Sequence, residues 1–159
     1  MPAIGIHHHK ISVTDMERSL VFYRDLLGFE LIYDALRENL PEYDRIMGLQ
    51  DVRVRIAMLR TPRPAPGREA MIGLLQFLNP PPRAHCADVF DQGFSTIAVE
   101  TNDIDADFRR LRKAGVESLS SVVQIVRGGR AVAKAVYVLD PDGLRIELYQ
   151  PLVTIENAG

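Results

Sequence analysis

The sequence predicts an α+β protein made of two tandem βαβββ modules, curled into a cup-like mixed sheet with the helices on the outside. Three observations predict it. Period-two alternation over residues 6–13 gives way to apolar residues at helical spacing, Met16, Leu20, Tyr23 and Leu27. The same succession returns later, with Asp103, Ile104, Phe108 and Leu111 each lying 88 residues after Asp15, Met16, Leu20 and Tyr23. The segments LLQFLNP (74–80) and RIELYQP (145–151) also match when aligned on their prolines, which pairs Gln76 with Glu147. An internal duplication explains all three.

In the first strand His9, Ile11 and Val13 alternate with His8, Lys10 and Ser12, so the odd positions face a core. Thr14 and Glu17 have the spacing of a capping box, and Gly28 supplies a C-terminal stop. A strand over 29–36 is followed by a polar loop with a short helix within 41–49. Val52, Val54, Ile56 and Met58 alternate with Arg53, Arg55, Ala57 and Leu59 in a third strand, and 71–78 form a fourth that stops at Asn79 and three prolines. The turn-rich TPRPAPG separates these two strands.

Residues 79–92 read as a connector. Beyond it come a strand over 94–101, a helix capped by Asn102 and ending at Gly115, and strands over 116–124, 131–139 and 144–150. Arg127 to Arg130, with Gly128 and Gly129, and Asp140-Pro141-Asp142-Gly143 form turns. The expected organisation is a single domain over 1–159, with module one at about 4–80, the connector at about 81–92 and module two at about 93–151.

A chain of 159 residues is long enough to bury a core without disulfides or structural metals. A formal net charge of -2 implies neither a nucleic-acid footprint nor a membrane-seeking surface, so the expected partners are a small molecule and a second copy of the chain. Cys86 is the only cysteine, which excludes an intrachain disulfide and fits a reducing cytoplasm.

Alternation also sorts the faces. Opposite the helices should lie His8, Lys10 and Ser12, with Thr96, Ala98 and Glu100 in the copy. Leu74, Gln76 and Leu78, then Arg145, Glu147 and Tyr149, join them from the closing strands, as do Arg53 and Arg55. Such a face is too polar for a second core and suits a small-molecule pocket. His7 and His9 are expected to point away from His8.

The pattern HxxIxVxD with FYRDLLGF, the duplicated modules and DPDGLRIELYQP resemble the vicinal oxygen chelate superfamily, over roughly residues 4–151. That superfamily includes glyoxalase I, methylmalonyl-CoA epimerase, extradiol dioxygenases, fosfomycin-resistance enzymes and bleomycin-binding proteins. Carried over by motif, the resemblance implies His8, Gln76 and Glu147 as ligands of one divalent cation, with Zn, Ni, Co, Mn and Fe as the candidates. Thr96 stands where a fourth ligand is expected. No nucleotide cofactor is implied.

The resemblance implies two functions. One is an isomerase or lyase acting on a substrate with adjacent oxygens, in which Glu147 or Glu100 is the base. Lys10, Arg53, Arg55, Thr96, Arg145 and Tyr149 would then bind substrate. The other is a metal-free binding or sequestering protein of the bleomycin-resistance type. A dioxygenase is disfavoured, because its second iron-binding histidine falls at Thr96, and Arg53 and Arg55 occupy the strand on which methylmalonyl-CoA epimerases carry a catalytic glutamate. A homodimer is expected from the resemblance.

Overall fold

The computed structural model of the chain describes residues 6–62, 70–83, 91–93 and 95–153. The chain divides into two compact units, Met1–Ala84 and His85–Gly159. The fold is α+β, with two four-stranded mixed sheets and three α-helices among the described residues. Much of the expected turn at 61–67 and of the connector, with position 94, lies outside the described residues.

The first unit runs β1 (His9–Ser12), α1 (Met16–Leu20), β2 (Glu30–Arg37), α2 (Pro41–Met47), β3 (Arg53–Arg60) and β4 (Met71–Asn79). Its sheet order is β1-β4-β3-β2, with β1 parallel to β4 and the other pairs antiparallel. α1 continues without a break into a π-helical segment, Val21–Leu26, so the helical stripe is longer than the α-helix proper. Met16, Leu20 and Tyr23 on that stripe are all buried, as are Ile11 and Leu74 of the adjoining strands and Val13 just beyond β1. Burying such side chains stabilises by about 1.5–3 kcal/mol each.

The second unit repeats the plan. Its elements are β5 (Ile97–Glu100), α3 (Ile104–Lys113), β6 (Val123–Arg127), β7 (Arg130–Leu139) and β8 (Arg145–Pro151), in the sheet order β5-β8-β7-β6. Ile104 and Leu111 of α3 are buried with Val136, Val138, Ile146 and Leu148. The hairpin between β6 and β7 turns on Gly128 (φ 56°) and Gly129 (φ 77°), a pair of positive φ angles that a tight two-residue turn requires. β6 begins later than expected, and Ser118 makes only an isolated bridge to Val138.

α1 and α3 are each capped one residue later than their sequence spacing suggested. Asp15, not Thr14, accepts from Arg18 N at 3.0 Å, and Asp103, not Asn102, accepts from Ala106 N at 2.9 Å. An aspartate at this position meets both the orphan N–H groups and the helix dipole. Glu17 is therefore released from a capping box and pairs with Arg55 instead.

Candidate functional site

Partners in register share a face, so the hydrogen bonds of a few side chains orient each sheet. In the first unit Gln76 is opposite Arg55. Gln76 Oε1 accepts from Met16 N at 3.3 Å and its Nε2 donates to the Thr14 carbonyl at 3.1 Å, which clamps the start of α1. Arg55 donates to Glu17 of α1 at 2.7 Å and grips Asp34 of β2 through two further bonds, at 2.9 and 2.7 Å. This face belongs to the helix.

Three expectations are corrected by that geometry. Gln76 does not face away from the helix, and both ends of its amide are occupied in capping. Arg55 also lies on the helix side, while Arg53 pairs with Glu38 at 2.8 Å. The opposite face, expected to be polar, instead carries a small apolar core: Val52, Val54, Ile56 and Leu75, with Tyr33, Met58 and Phe77 against it and Tyr43 and Met47 of α2 packed over it. α2 thus fills a surface that alternation alone left open.

The cause of the Gln76 error is a register slip in the repeat. Ile11 pairs with Leu74 and Val99 with Leu148, so the closing strands are displaced by 74 residues, not the 71 that the prolines suggest. A three-residue error is odd, and an odd slip exchanges the faces of a strand. Gln76 corresponds to Gln150, which repeats its role: Gln150 Oε1 accepts from Ile104 N at 3.1 Å and its Nε2 donates to the Asn102 carbonyl at 2.7 Å. The counterpart of Glu147 is Gly73.

The remaining first-unit candidates lie along β1. Lys10 is in register with Gly73, Gly73 with Met58, and Met58 with Tyr33, so one row crosses all four strands. His8 immediately precedes β1, where strand alternation no longer holds. Its ring consequently meets that of His7, with Nδ1–Nδ1 at 2.8 Å and the planes at 82°, against the expectation that His7 points away. Burial, then the charges of Lys10 and His7, hold the His8 pKa below its ordinary 6.5, which favours the neutral imidazole at pH 7.

In the second unit the polar face stands opposite α3. Lys134, in register with Gln150, reaches Asp105 of α3 at 2.6 Å and marks the helix side. Glu147 and Tyr149 lie on the other side, with Ala98 and Glu100 as β5 partners and Tyr137 and Ala135 as β7 partners. Arg145 shares that face by alternation, two residues before Glu147. Glu147 is half-buried and makes no side-chain hydrogen bond among the described residues. Thr96 precedes β5, and its hydroxyl donates to the Arg145 carbonyl at 2.6 Å.

The family model described as Glyoxalase/Bleomycin resistance protein/Dioxygenase superfamily matches residues 5–148. The chain belongs to this superfamily. Among its relatives is a 2-epi-5-epi-valiolone epimerase from Actinomyces, 28% identical over 92% of this chain and 79% of that protein. A glyoxalase family protein from Bacillus cereus superposes with a TM-score of 0.83 at 28% identity, covering 96% of this chain and 97% of the other. An antibiotic binding protein from Streptomyces shares the fold at 22% identity and a TM-score of 0.57, covering 94% and 99% of the two chains.

Superfamily members often use a divalent metal, so the donors here need a test of fit. The duplication pairs His8 with Thr96 and Gly73 with Glu147 as equivalent positions. Gly73 has no donor, Thr96 offers only a hydroxyl already bound to a carbonyl, and Gln76 is committed to α1. His8 and Glu147 remain, short of the three protein ligands that catalytic zinc sites keep. Among the described residues no group of three or more His, Cys, Asp or Glu side chains is gathered for a metal. The donor set does not fit a divalent cation.

Proposed function

We propose that this protein is a small-molecule enzyme of isomerase type, with lyase chemistry on the same intermediate as the alternative outcome, acting on a substrate with adjacent oxygens. The observation that carries the reading is Glu147: a half-buried carboxylate on the polar face of β8, flanked in register by Ala98 and Tyr137 and without a side-chain hydrogen bond among the described residues. A carboxylate free of partners is able to take a proton from carbon next to a carbonyl. Return of the proton to the other face of the resulting enolate inverts the centre, and loss of a neighbouring group eliminates. The epimerase relative supports the first outcome.

In this reading Glu147 is the principal base, with Glu100 as the second candidate, and Tyr149 and Arg145 on the same face hold the substrate's oxygens. No step passes through a metal. Arg53 and Arg55 are removed from the substrate-binding set by their pairing with Glu38, Asp34 and Glu17. The protein works in the cytoplasm as a homodimer, with a small molecule as its other partner. No helix among the described residues is long and apolar enough to cross a membrane.

The test is proton exchange in D2O, followed by NMR, over a panel of 2-oxo acids, acyl-CoA thioesters and cyclic hydroxyketones. Exchange or inversion of one substrate is expected, with Glu147→Gln lowering kcat by about 10²–10⁴-fold. Absence of exchange across the panel, together with tight binding of a large aromatic ligand, would establish a second reading, a sequestering protein. The shortage of metal donors at Gly73 and Thr96 favours that second reading.

A further inference from the structure

We infer that the first unit's share of the superfamily's metal site has become a metal-free subsite for an anionic oxygen, with the Lys10 ammonium in place of the cation and the Tyr33 hydroxyl as a second donor. The inference rests on the proposed reading that ligand meets the strand face opposite the helix, and it adds the chemistry recognised there.

Three observations converge on the row Lys10, Gly73, Met58 and Tyr33. Gly73 occupies the repeat position of Glu147, so the carboxylate that the duplication calls for is missing. The place of its side chain is crowded: a Cβ at Gly73 would lie 3.0 Å from Met58 Sδ, a tight approach, and 3.5 Å from Lys10 Cγ, an ordinary contact. Lys10 therefore runs over the very backbone from which a metal ligand would project, and a bound divalent cation would meet its ammonium in Coulomb repulsion. At the other end of the row, the Tyr33 hydroxyl is buried without a hydrogen-bond partner among the described residues.

A buried hydroxyl without a partner is an uncommon state that a ligand atom relieves. Tyr33 belongs to the face in question because it is in register with Met58 and packs on the core of Val54, Ile56 and Leu75. Arg37 lies over its ring, with the guanidinium carbon 5.1 Å from the centroid. Three strand spacings separate Lys10 from Tyr33, about 14 Å between backbones, a span that two long side chains and a small ligand divide between them. The chemistry that matches is a small anion with vicinal oxygens, one negatively charged for Lys10 and one to accept from Tyr33. Met58 and Gly73 provide an uncharged floor between them.

The experiment uses the full chain purified without an affinity tag. Its metal content is measured by mass spectrometry and by equilibrium dialysis against Zn²⁺, Mn²⁺, Ni²⁺ and Co²⁺, and oxalate, a dianion with adjacent oxygens, is titrated calorimetrically in the presence of EDTA. We expect sub-stoichiometric metal under every condition and oxalate binding that EDTA leaves unchanged. Lys10→Met should weaken oxalate by about tenfold or more and Tyr33→Phe by about threefold to tenfold, with Lys10→Arg retaining most of the affinity. Unchanged circular dichroism and melting temperature exclude misfolding as the cause.

A stoichiometric metal that His8→Ala removes would overturn the inference. So would an oxalate affinity indifferent to Lys10→Met, or the absence of oxalate binding to the EDTA-treated protein. The outcomes separate this inference from the isomerase reading. Oxalate binding through Lys10 in a protein that turns over nothing keeps the subsite and removes the enzyme, whereas turnover with a resident stoichiometric metal does the reverse.

Discussion

Arg55 shows how a single side chain can be misassigned by charge and alternation alone. An arginine among apolar strand residues suggests a ligand-binding cation, yet its guanidinium is shared between Asp34 and Glu17, and these bonds raise its pKa above an already high value. The hydrogen bond from Arg55 in turn holds the Asp34 carboxyl below its ordinary 3.8. A carboxylate with a depressed folded pKa contributes stability that is present above the unfolded value and lost as pH falls through the folded one. Asp34→Asn should therefore lower stability by roughly 1 kcal/mol near neutral pH, discounted for the partial exposure of the pair. Thermal melts of the two proteins should differ at pH 7 and converge as the pH falls through the depressed folded pKa of Asp34. A difference that persists undiminished in acid would mean that the pair is not what Asp34 contributes. The motif-bearing residues differ in the same way: His8 and Glu147 keep available donors, whereas both the oxygen and the nitrogen of the Gln76 amide are engaged within its own unit.

The helical elements owe their starting points to a device that joins local and distant sequence. Each helix of the duplicated pair has an aspartate N-cap, one residue beyond the position that local spacing indicated, and a glutamine delivered from a strand 60 residues later in one case and 46 in the other. Local rules found the helices, set each cap one residue early at Thr14 and Asn102, and missed the glutamine, because nothing near α1 or α3 signals it. Gln76→Ala and Gln150→Ala should each destabilise by about 1 kcal/mol, the scale of a lost helix cap, without altering metal content. Denaturant titration of both variants checks this, and equal losses would show that the two clamps work alike. α2 presents the converse case. Its existence was readable from Pro41 and the polar loop, but its covering of Val52, Val54, Ile56 and Leu75 was not, since Tyr43 and Met47 provide too short a stripe to declare a partner.

For the whole molecule the decisive feature is duplication with divergence. Both units keep the strand order, the aspartate cap and the glutamine clamp, while the first gains α2 and loses its carboxylate to Gly73. Each sheet also ends in exposed apolar side chains on an outer strand, Ile32 and Leu36 on β2 and Val123 and Val126 on β6. Such edges invite pairing with a second chain. Sedimentation velocity should accordingly show a dimer, and Val126→Lys or Ile32→Lys should dissociate it. A monomer at all concentrations would refute the expectation and leave these edges exposed.

Amino-acid order by itself determined the α+β class, the tandem plan, the buried helical stripes and the superfamily, because period, turn chemistry and internal repetition are local or additive signals. It also singled out His8 and Glu147. Only the tertiary structure decided which face each closing strand presents, since a three-residue difference in alignment is invisible to composition yet exchanges inside for outside. That one register moved Gln76 from the expected metal set to a helix cap and put Gly73 opposite Lys10, and the reason is physical: pairing across strands is fixed by packing between distant segments.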